Sequence, residues 1–237
     1  MPPAISNSRL LSHCLTVSVL LIGLGLTPRA AANQLHFQFI GNEAFLITDG
    51  KTSLFSDFPY IPGAFGYMNY DFATAAQGVE NGLCLITHGH ADHFDAKLFA
   101  ATKFAVIAPP AVLASLDTPR KIPFAQEMSY RGIRVRALPT PHGDIQHYSY
   151  LVLWHGRKLY FAGDTGDIDE LSRQTGLDVA FVTPWQLRAM KEHGKHIAAR
   201  RVVIYHHQVD EAVPPYQDRL VLQQGESFDL PFLPSER

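Results

Sequence analysis

Residues 82–93, Gly-Leu-Cys-Leu-Ile-Thr-His-Gly-His-Ala-Asp-His, decide how the rest of the chain is read. The first six form a continuous apolar run of strand length, which predicts a strand buried on both faces. Directly behind it, His88, His90, Asp92 and His93 fall within six positions. Burying four such side chains without partners is costly, because imidazole and carboxylate each need a hydrogen bond or a cation. A bound metal removes that cost, with imidazole nitrogen and carboxylate oxygen both reaching zinc at about 2.0–2.2 Å. In an extended segment His88 and His90 point the same way and can serve one ion. The chain then turns into a helix, which lets Asp92 and His93 face a second ion. A polar surface loop is the alternative, and the density of donors weighs against it.

Outward from this segment the chain reads as short strands and fewer helices. Residues 35–40 (LHFQFI), 44–48 (AFLIT) and 53–56 (SLFS) are separated by Gly41-Asn42 and Asp49-Gly50, the pattern of an antiparallel meander. Helices are predicted over 95–103, 111–116 and 187–200. Further strands are predicted over 104–108, 133–138, 149–154, 158–162, 179–182 and 202–205. Residues 220–223 and 227–230 around Gln224-Gly225 read as a closing hairpin. Strands outnumber helices, so a layered α/β domain with two sheets inside and helices outside is the natural packing.

Composition sets the limits. The 237 residues are 46% hydrophobic and 18% charged, enough for one sizeable core. Residues 1–32 read as a signal peptide: Arg9 before an apolar stretch at 14–26, then Ala30-Ala31-Ala32 as a cleavage pattern. The stretch is shorter than the roughly 20 residues of a spanning helix, so no stable membrane anchor is expected. Residues 33–237 then form one exported domain, periplasmic or secreted. Without Arg9 and Arg29 it carries 18 basic against 22 acidic residues, which argues against a nucleic-acid partner. Cys84 is its single cysteine and reads as a core residue.

The run Thr87–Asp95 (THGHADHFD) resembles the His-x-His-x-Asp-His signature of the metallo-β-lactamase-fold hydrolase superfamily. Residues 40–47 with Ser56-Asp57, Pro141-His142-Gly143, residues 161–166 (FAGDTG) and residues 202–207 (VVIYHH) resemble its later landmarks, in order. The resemblance implies a four-layer αββα sandwich and two divalent metal ions, zinc first, with manganese or iron as alternatives. It places His88, His90 and His142 on one ion and Asp92, His93 and His207 on the other, with Asp164 bridging. His206 competes with His207, and the Val-Val-Ile-x-x-His form of related lactonases favours His207. Asp57 would accept a hydrogen bond from a ligand imidazole. His147 and Trp185 are weaker candidates for the pocket wall, with surface hydrogen bonding and core packing as their respective alternatives.

Two cations about 3.5–4 Å apart can share a hydroxide and lower the pKa of water from about 15.7 towards about 7. Asp92 is then the catalytic candidate, orienting the nucleophile and moving its proton. No Gly-x-Ser-x-Gly elbow suggests a serine nucleophile. Antibiotic-hydrolysing members of the superfamily carry Cys or Ser where Asp164 stands, which makes β-lactamase activity the weaker option. The resemblance runs closest to the L-ascorbate-6-phosphate lactonase-like and N-acylphosphatidylethanolamine phospholipase D-like branch. The expected reaction is hydrolysis of a phosphodiester, lactone or thioester in a small molecule. An iron-dependent oxygenase or a non-catalytic metal-binding sensor on the same fold are the competing readings.

Overall fold

Leu83 and Leu85 face one apolar cluster, while Cys84 and Ile86 face another. A strand exposes alternate side chains to opposite faces, so a run apolar at every position must lie between two packed layers. A computed structural model describes residues 33–211, 213 and 219–234, and places this run at the centre of the molecule. The proposed signal segment, 1–32, lies outside the described residues.

In chain order the elements are β1 (Gln34–Gly41), β2 (Ala44–Thr48), β3 (Ser53–Ser56), α1 (Phe72–Ala76), β4 (Gly82–Leu85), α2 (Ala96–Ala100), β5 (Ala105–Ile107), α3 (Pro110–Ala114), β6 (Glu127–Tyr130), β7 (Ile133–Pro139), β8 (Tyr148–Trp154), β9 (Arg157–Phe161), α4 (Ile168–Arg173), β10 (Leu177–Val182), α5 (Pro184–Glu192), β11 (Ala199–Ile204), β12 (Arg219–Val221) and β13 (Ser227–Pro231). One sheet has the order β13-β1-β2-β3-β4-β5 and the other β12-β11-β10-β9-β8-β7-β6. Phe37, Phe45, Phe161 and Phe181 meet between them; the last two stack with ring centres 4.6 Å apart. Two outer clusters lie on the far sides of the sheets, against the helices. Two sheets inside and helices outside is the layering that the buried runs predict.

Three expectations need correction. The tail is not a hairpin: β12 runs parallel to β11, whereas β13 crosses to the other sheet and pairs antiparallel with β1. The long helix expected over 187–200 is α5, which begins earlier and ends at Glu192. Its start is fixed by a capping box, Thr183 with Gln186, and by Pro184 in the first turn. Gly194, at φ +62°, lies just past its end, and the residues beyond become β11. Third, β6, α1 and α4 had no predicted counterpart.

The topology positions the site. β3, β4 and β5 are mutually parallel, as are β9, β10, β11 and β12. The loops that follow β3, β4, β9 and β11 therefore leave the carboxyl ends of their strands, where α/β sheets gather functional groups. Hydrogen bonds fasten one sheet to the other at this edge. Tyr150 Oη donates to the Ile86 carbonyl (2.9 Å), the Tyr148 amide to the Thr87 carbonyl (3.1 Å) and the His206 amide to the Asn42 carbonyl (2.8 Å).

Candidate metal centre

Two groups of donors gather at this edge. His88, His90 and His142 each bring one ring nitrogen within 4.8 Å of the others. Nε2 of His88 lies 3.0 Å from Nδ1 of His90, which is 3.4 Å from Nε2 of His142. His88 is buried, while His90 is exposed and opens the group to solvent. Hydrogen bonds on the opposite ring edges fix which nitrogens are free. His88 Nδ1 (3.0 Å) donates to the Thr87 hydroxyl, which itself donates to Asp57. His142 Nδ1 donates to the Asp164 carbonyl (3.0 Å). Both rings are left with an Nε2 lone pair for an ion, the arrangement in which an outer partner sets the tautomer of a ligand.

His93 organises the second group. Its Nε2 faces His206 Nε2 (3.0 Å), Asp164 Oδ2 (3.4 Å) and Asp92 Oδ2 (3.5 Å). Its Nδ1 faces Asp57 Oδ2 (3.3 Å) and Glu43 Oε2 (3.5 Å). Glu43 also lies within 4.8 Å of the donors of His93, Asp164 and His206. We place it behind the ring rather than among the ligands, because it stands on the Nδ1 side. Asp164 spans the two groups. Its Oδ2 is 4.0 Å from Nε2 of both His88 and His142, while Oδ1 is 3.1 Å from His206 Nε2.

The electrostatics call for added positive charge. Glu43, Asp57 and Asp92 are buried, and among the described residues their ion-pair partners are histidines, never Lys or Arg. Both Glu43 oxygens, Asp164 Oδ1 and His93 Nδ1 make no hydrogen bond although buried. Such groups are expensive without a counter-charge. Burial and the neighbouring His93 hold the His88 imidazole far below its usual value, so it is neutral and able to donate a lone pair. Burial works against charge on Asp92 and Asp164 as well. For Asp92, the adjoining imidazoles of His206 and His93 overcome it; for Asp164, the charge of His93 and then the adjoining His206 do so, and both carboxyls stay low. Imidazole nitrogens and carboxylate oxygens in two adjoining groups fit a pair of divalent cations.

Of the residues expected from sequence, His88, His90, His142, Asp92, His93 and Asp164 come together. The last histidine is corrected: His206, not His207, faces the group. Chain direction changes at this point, because His206 adopts φ +51°. His207 is thereby turned away, its Nδ1 donating to the Gln208 carbonyl (3.0 Å) and its ring 6.0 Å from Phe39. Asp57 stands behind the His93 ring, 3.3 Å from Nδ1, and accepts its hydrogen bonds from Thr87, whose amide lies at 2.7 Å. His147 is neither a surface residue nor a pocket wall. It is buried, and its Nε2 accepts from the Asp164 amide (3.0 Å) while Nδ1 meets the Thr140 hydroxyl (2.9 Å). Burial lowers its pKa to about 4, which keeps that acceptor free. A side chain on Gly163 would collide with this ring, and φ +65° there favours glycine. Trp185 lies half-buried, edge-on to His206 at 5.0 Å.

Sequence reasoning missed three residues. Glu43 follows a Gly-Asn turn and carried no signal beyond being an acid beside an apolar strand. Asn42, at φ +51°, donates to the Asp92 carbonyl at 2.7 Å and thus pins the motif loop. Tyr67 sets its ring edge-on to His206 at 4.3 Å. Burial, helped by Asp164 and Asp92, raises its phenol to about 12, so it is a neutral donor at pH 7. A groove of about 720 Å³ near Gln38, Leu46, Tyr70 and Thr74 lies on the outer side of the first sheet and includes none of the clustered donors.

Known proteins resemble this chain in sequence and in fold. A metal-dependent hydrolase of Thermus thermophilus is 28% identical over 160 residues, covering 61% of this chain and 69% of its own. One from Heliobacterium modesticaldum is 33% identical over 150 residues, covering 56% and 60%. The solved structure of a metallo hydrolase from the archaeon Ignicoccus hospitalis superposes with a TM-score of 0.64 at 15% identity, over 84% of this chain and all of that one, a likeness of fold alone. The pattern defining the beta-lactamase superfamily domain matches residues 80–218, which contain all the clustered donors except Glu43. With that match, and with the sandwich and paired donor groups in place, the chain belongs to the beta-lactamase superfamily.

Proposed function

We propose that this chain is a metal-dependent hydrolase that cleaves an ester-type bond in a small molecule at a dinuclear centre. His88, His90 and His142 would hold one ion and Asp92, His93 and His206 the other, with Asp164 within reach of both donor groups. The observation that carries this reading is the Asp164 carboxylate, set between the two groups with a buried oxygen that makes no hydrogen bond. Divalent cations in such a pair, zinc best suited to this donor set, supply a nucleophile near neutral pH and polarise the electrophile.

The chain's own groups do the rest. Asp92, with Oδ2 3.4 Å from His206 Nε2 at the second donor group, orients the attacking water, receives its proton and passes it to the leaving atom. Tyr67, neutral and beside His206, offers a phenolic proton to charge developing on the substrate. His147 anchors the Asp164 backbone, and Asp57 anchors His88 through Thr87.

Replacing Asp164 by Ala should lower the metal content from two ions towards one and cut turnover by at least 100-fold, on the order expected for losing a shared ligand. Elemental analysis of the reconstituted protein, beside turnover of a panel of esters, thioesters, lactones and phosphodiesters, checks both. Two ions retained in the variant would remove Asp164 from its bridging role.

A further inference from the structure

Thr140, His147 and Ser149 are buried polar residues outside both donor groups, and the hydrogen bonds that join them have one possible direction. Ser149 Oγ lies 2.7 Å from the Ala162 carbonyl, which can only accept, so the serine proton is spent there. Thr140 Oγ1, 3.1 Å from Ser149 Oγ, must therefore donate to it. The Ser149 amide donates to Thr140 Oγ1 (3.1 Å), which leaves that oxygen one lone pair and no proton. Its contact with His147 Nδ1 (2.9 Å) thus requires the proton to sit on Nδ1. Across the ring, the Asp164 amide points at Nε2 (3.0 Å), which must be bare to accept it. A neutral imidazole has one N–H and one lone pair in the ring plane. Both ends of the series demand the same tautomer.

These bonds begin and end on one tripeptide. They leave Asp164 at its amide and return to the Ala162 carbonyl, with Gly163 between. Gly163 is held separately: its amide donates to Tyr205 Oη (2.6 Å), and its carbonyl accepts from Gln186 Nε2 (2.8 Å). The Ala162 amide donates to the Phe181 carbonyl (3.1 Å), and the Asp164 carbonyl accepts from His142 Nδ1. Every backbone polar group of the tripeptide therefore has a partner, and the Asp164 carboxylate stands on a backbone with little freedom. In the other tautomer of His147, Nε2–H would meet the Asp164 N–H donor to donor, which orphans a backbone amide.

We propose that Thr140 and Ser149 are positioning residues of the metal centre, which lock His147 in its Nδ1–H tautomer and so hold the Asp164 backbone where its carboxylate reaches both donor groups. The proposal rests on the reading of Asp164 as a shared ligand given above. It adds two hydroxyls that act on the ions only through His147 and the Asp164 main chain. Losing an outer partner of a ligand typically costs about 10- to 100-fold in metal affinity. With a ring and a peptide group in between, the low end of that range applies here.

The test uses the zinc-loaded full chain with isotope-labelled histidine, whose ring nitrogens are read by NMR; His147 is identified by the signals lost in His147→Gln. The expected spectrum shows a protonated Nδ1 and a bare Nε2, and a proton on Nε2 instead overturns the proposal. Thr140→Val removes the hydroxyl at similar volume and should weaken the more loosely held zinc about tenfold in a competition titration. Thr140→Ser keeps the hydroxyl and should stay within about twofold of the parent. Equal losses in the two variants would assign the effect to packing, and no loss in Thr140→Val would make the hydroxyl merely structural; either result overturns the proposal. Ser149→Ala frees the Thr140 proton to turn towards Nδ1, so a second ring form should appear and the same zinc should weaken. This variant decides the matter if Thr140→Val does not fold, and an unchanged spectrum with unchanged zinc affinity counts against the proposal. No turnover of any ester, thioester, lactone or phosphodiester, with the ring form and affinities as expected, overturns the hydrolase reading and leaves this proposal standing.

Discussion

His93 carries two tasks on one ring, and the split between its nitrogens explains several neighbours. Nε2 looks into the second donor group, while Nδ1 looks at Asp57 and Glu43. Asp57 already accepts from the amide and hydroxyl of Thr87, whereas Glu43 has no hydrogen-bond partner. Glu43 is therefore free to hold the Nδ1 proton. Replacing it by Gln should weaken the second ion about 10- to 100-fold in a metal-binding titration and leave the first unaffected. Equal loss at both would mean a general structural defect. His206→Ala should cost one ion per chain, and His207→Ala none; the reverse stoichiometry would restore the assignment made from sequence. The signature residues were legible because six close positions expose their chemistry directly. His206 was not, since a single left-handed residue changes which of two adjacent histidines turns inward. Glu43 was hidden for a related reason. Its importance depends on a ring 50 positions away, and nothing local to β1 and β2 reveals it.

Elements show the same division between local and distant information. Alternation and apolar runs located most strands, because burial on one or both faces leaves its mark along the chain. The tail failed because β12 and β13 are close in sequence but belong to different sheets. Its turn residues suggested a hairpin, and tertiary pairing overrode them. The turn between β2 and β3 was read correctly, and Asp49 is the reason it holds. Its Oδ1 accepts from the amides of Lys51 and Thr52, each at 2.8 Å. Its Oδ2 accepts from His155 Nε2, also at 2.8 Å, on the turn between β8 and β9. Burial would raise its pKa, but the His155 hydrogen bond and the two amides outweigh this and lower it. A carboxyl with a lowered folded-state pKa stabilises fully above its unfolded value, near 4, and loses that contribution as pH falls through the folded value. Asp49→Ala should accordingly cost about 1–3 kcal/mol in urea unfolding at pH 7. The deficit should shrink as the pH is lowered from 4 towards 2, and an equal deficit throughout would exclude the charged contact as its source.

At the level of the whole molecule, the same buried acids that suit cations should destabilise the protein when cations are withdrawn. An ion present at 100 times its Kd stabilises the fold by about 2.7 kcal/mol, which for a chain of this size is roughly 5–10 °C in Tm. Thermal unfolding with excess chelator, and again after adding zinc, should show at least that shift. An unchanged Tm would argue that the donor groups are neutralised by protons instead. Each donor group also draws on both halves of the sandwich. His88, His90 and His93 follow β4, while His142, Asp164 and His206 come from the loops after β7, β9 and β11. Cleaving the connection at 117–126 would thus yield two fragments, neither owning a complete coordination sphere. Zinc uptake by their mixture, and by neither alone, would turn this architecture into a reporter of fragment complementation.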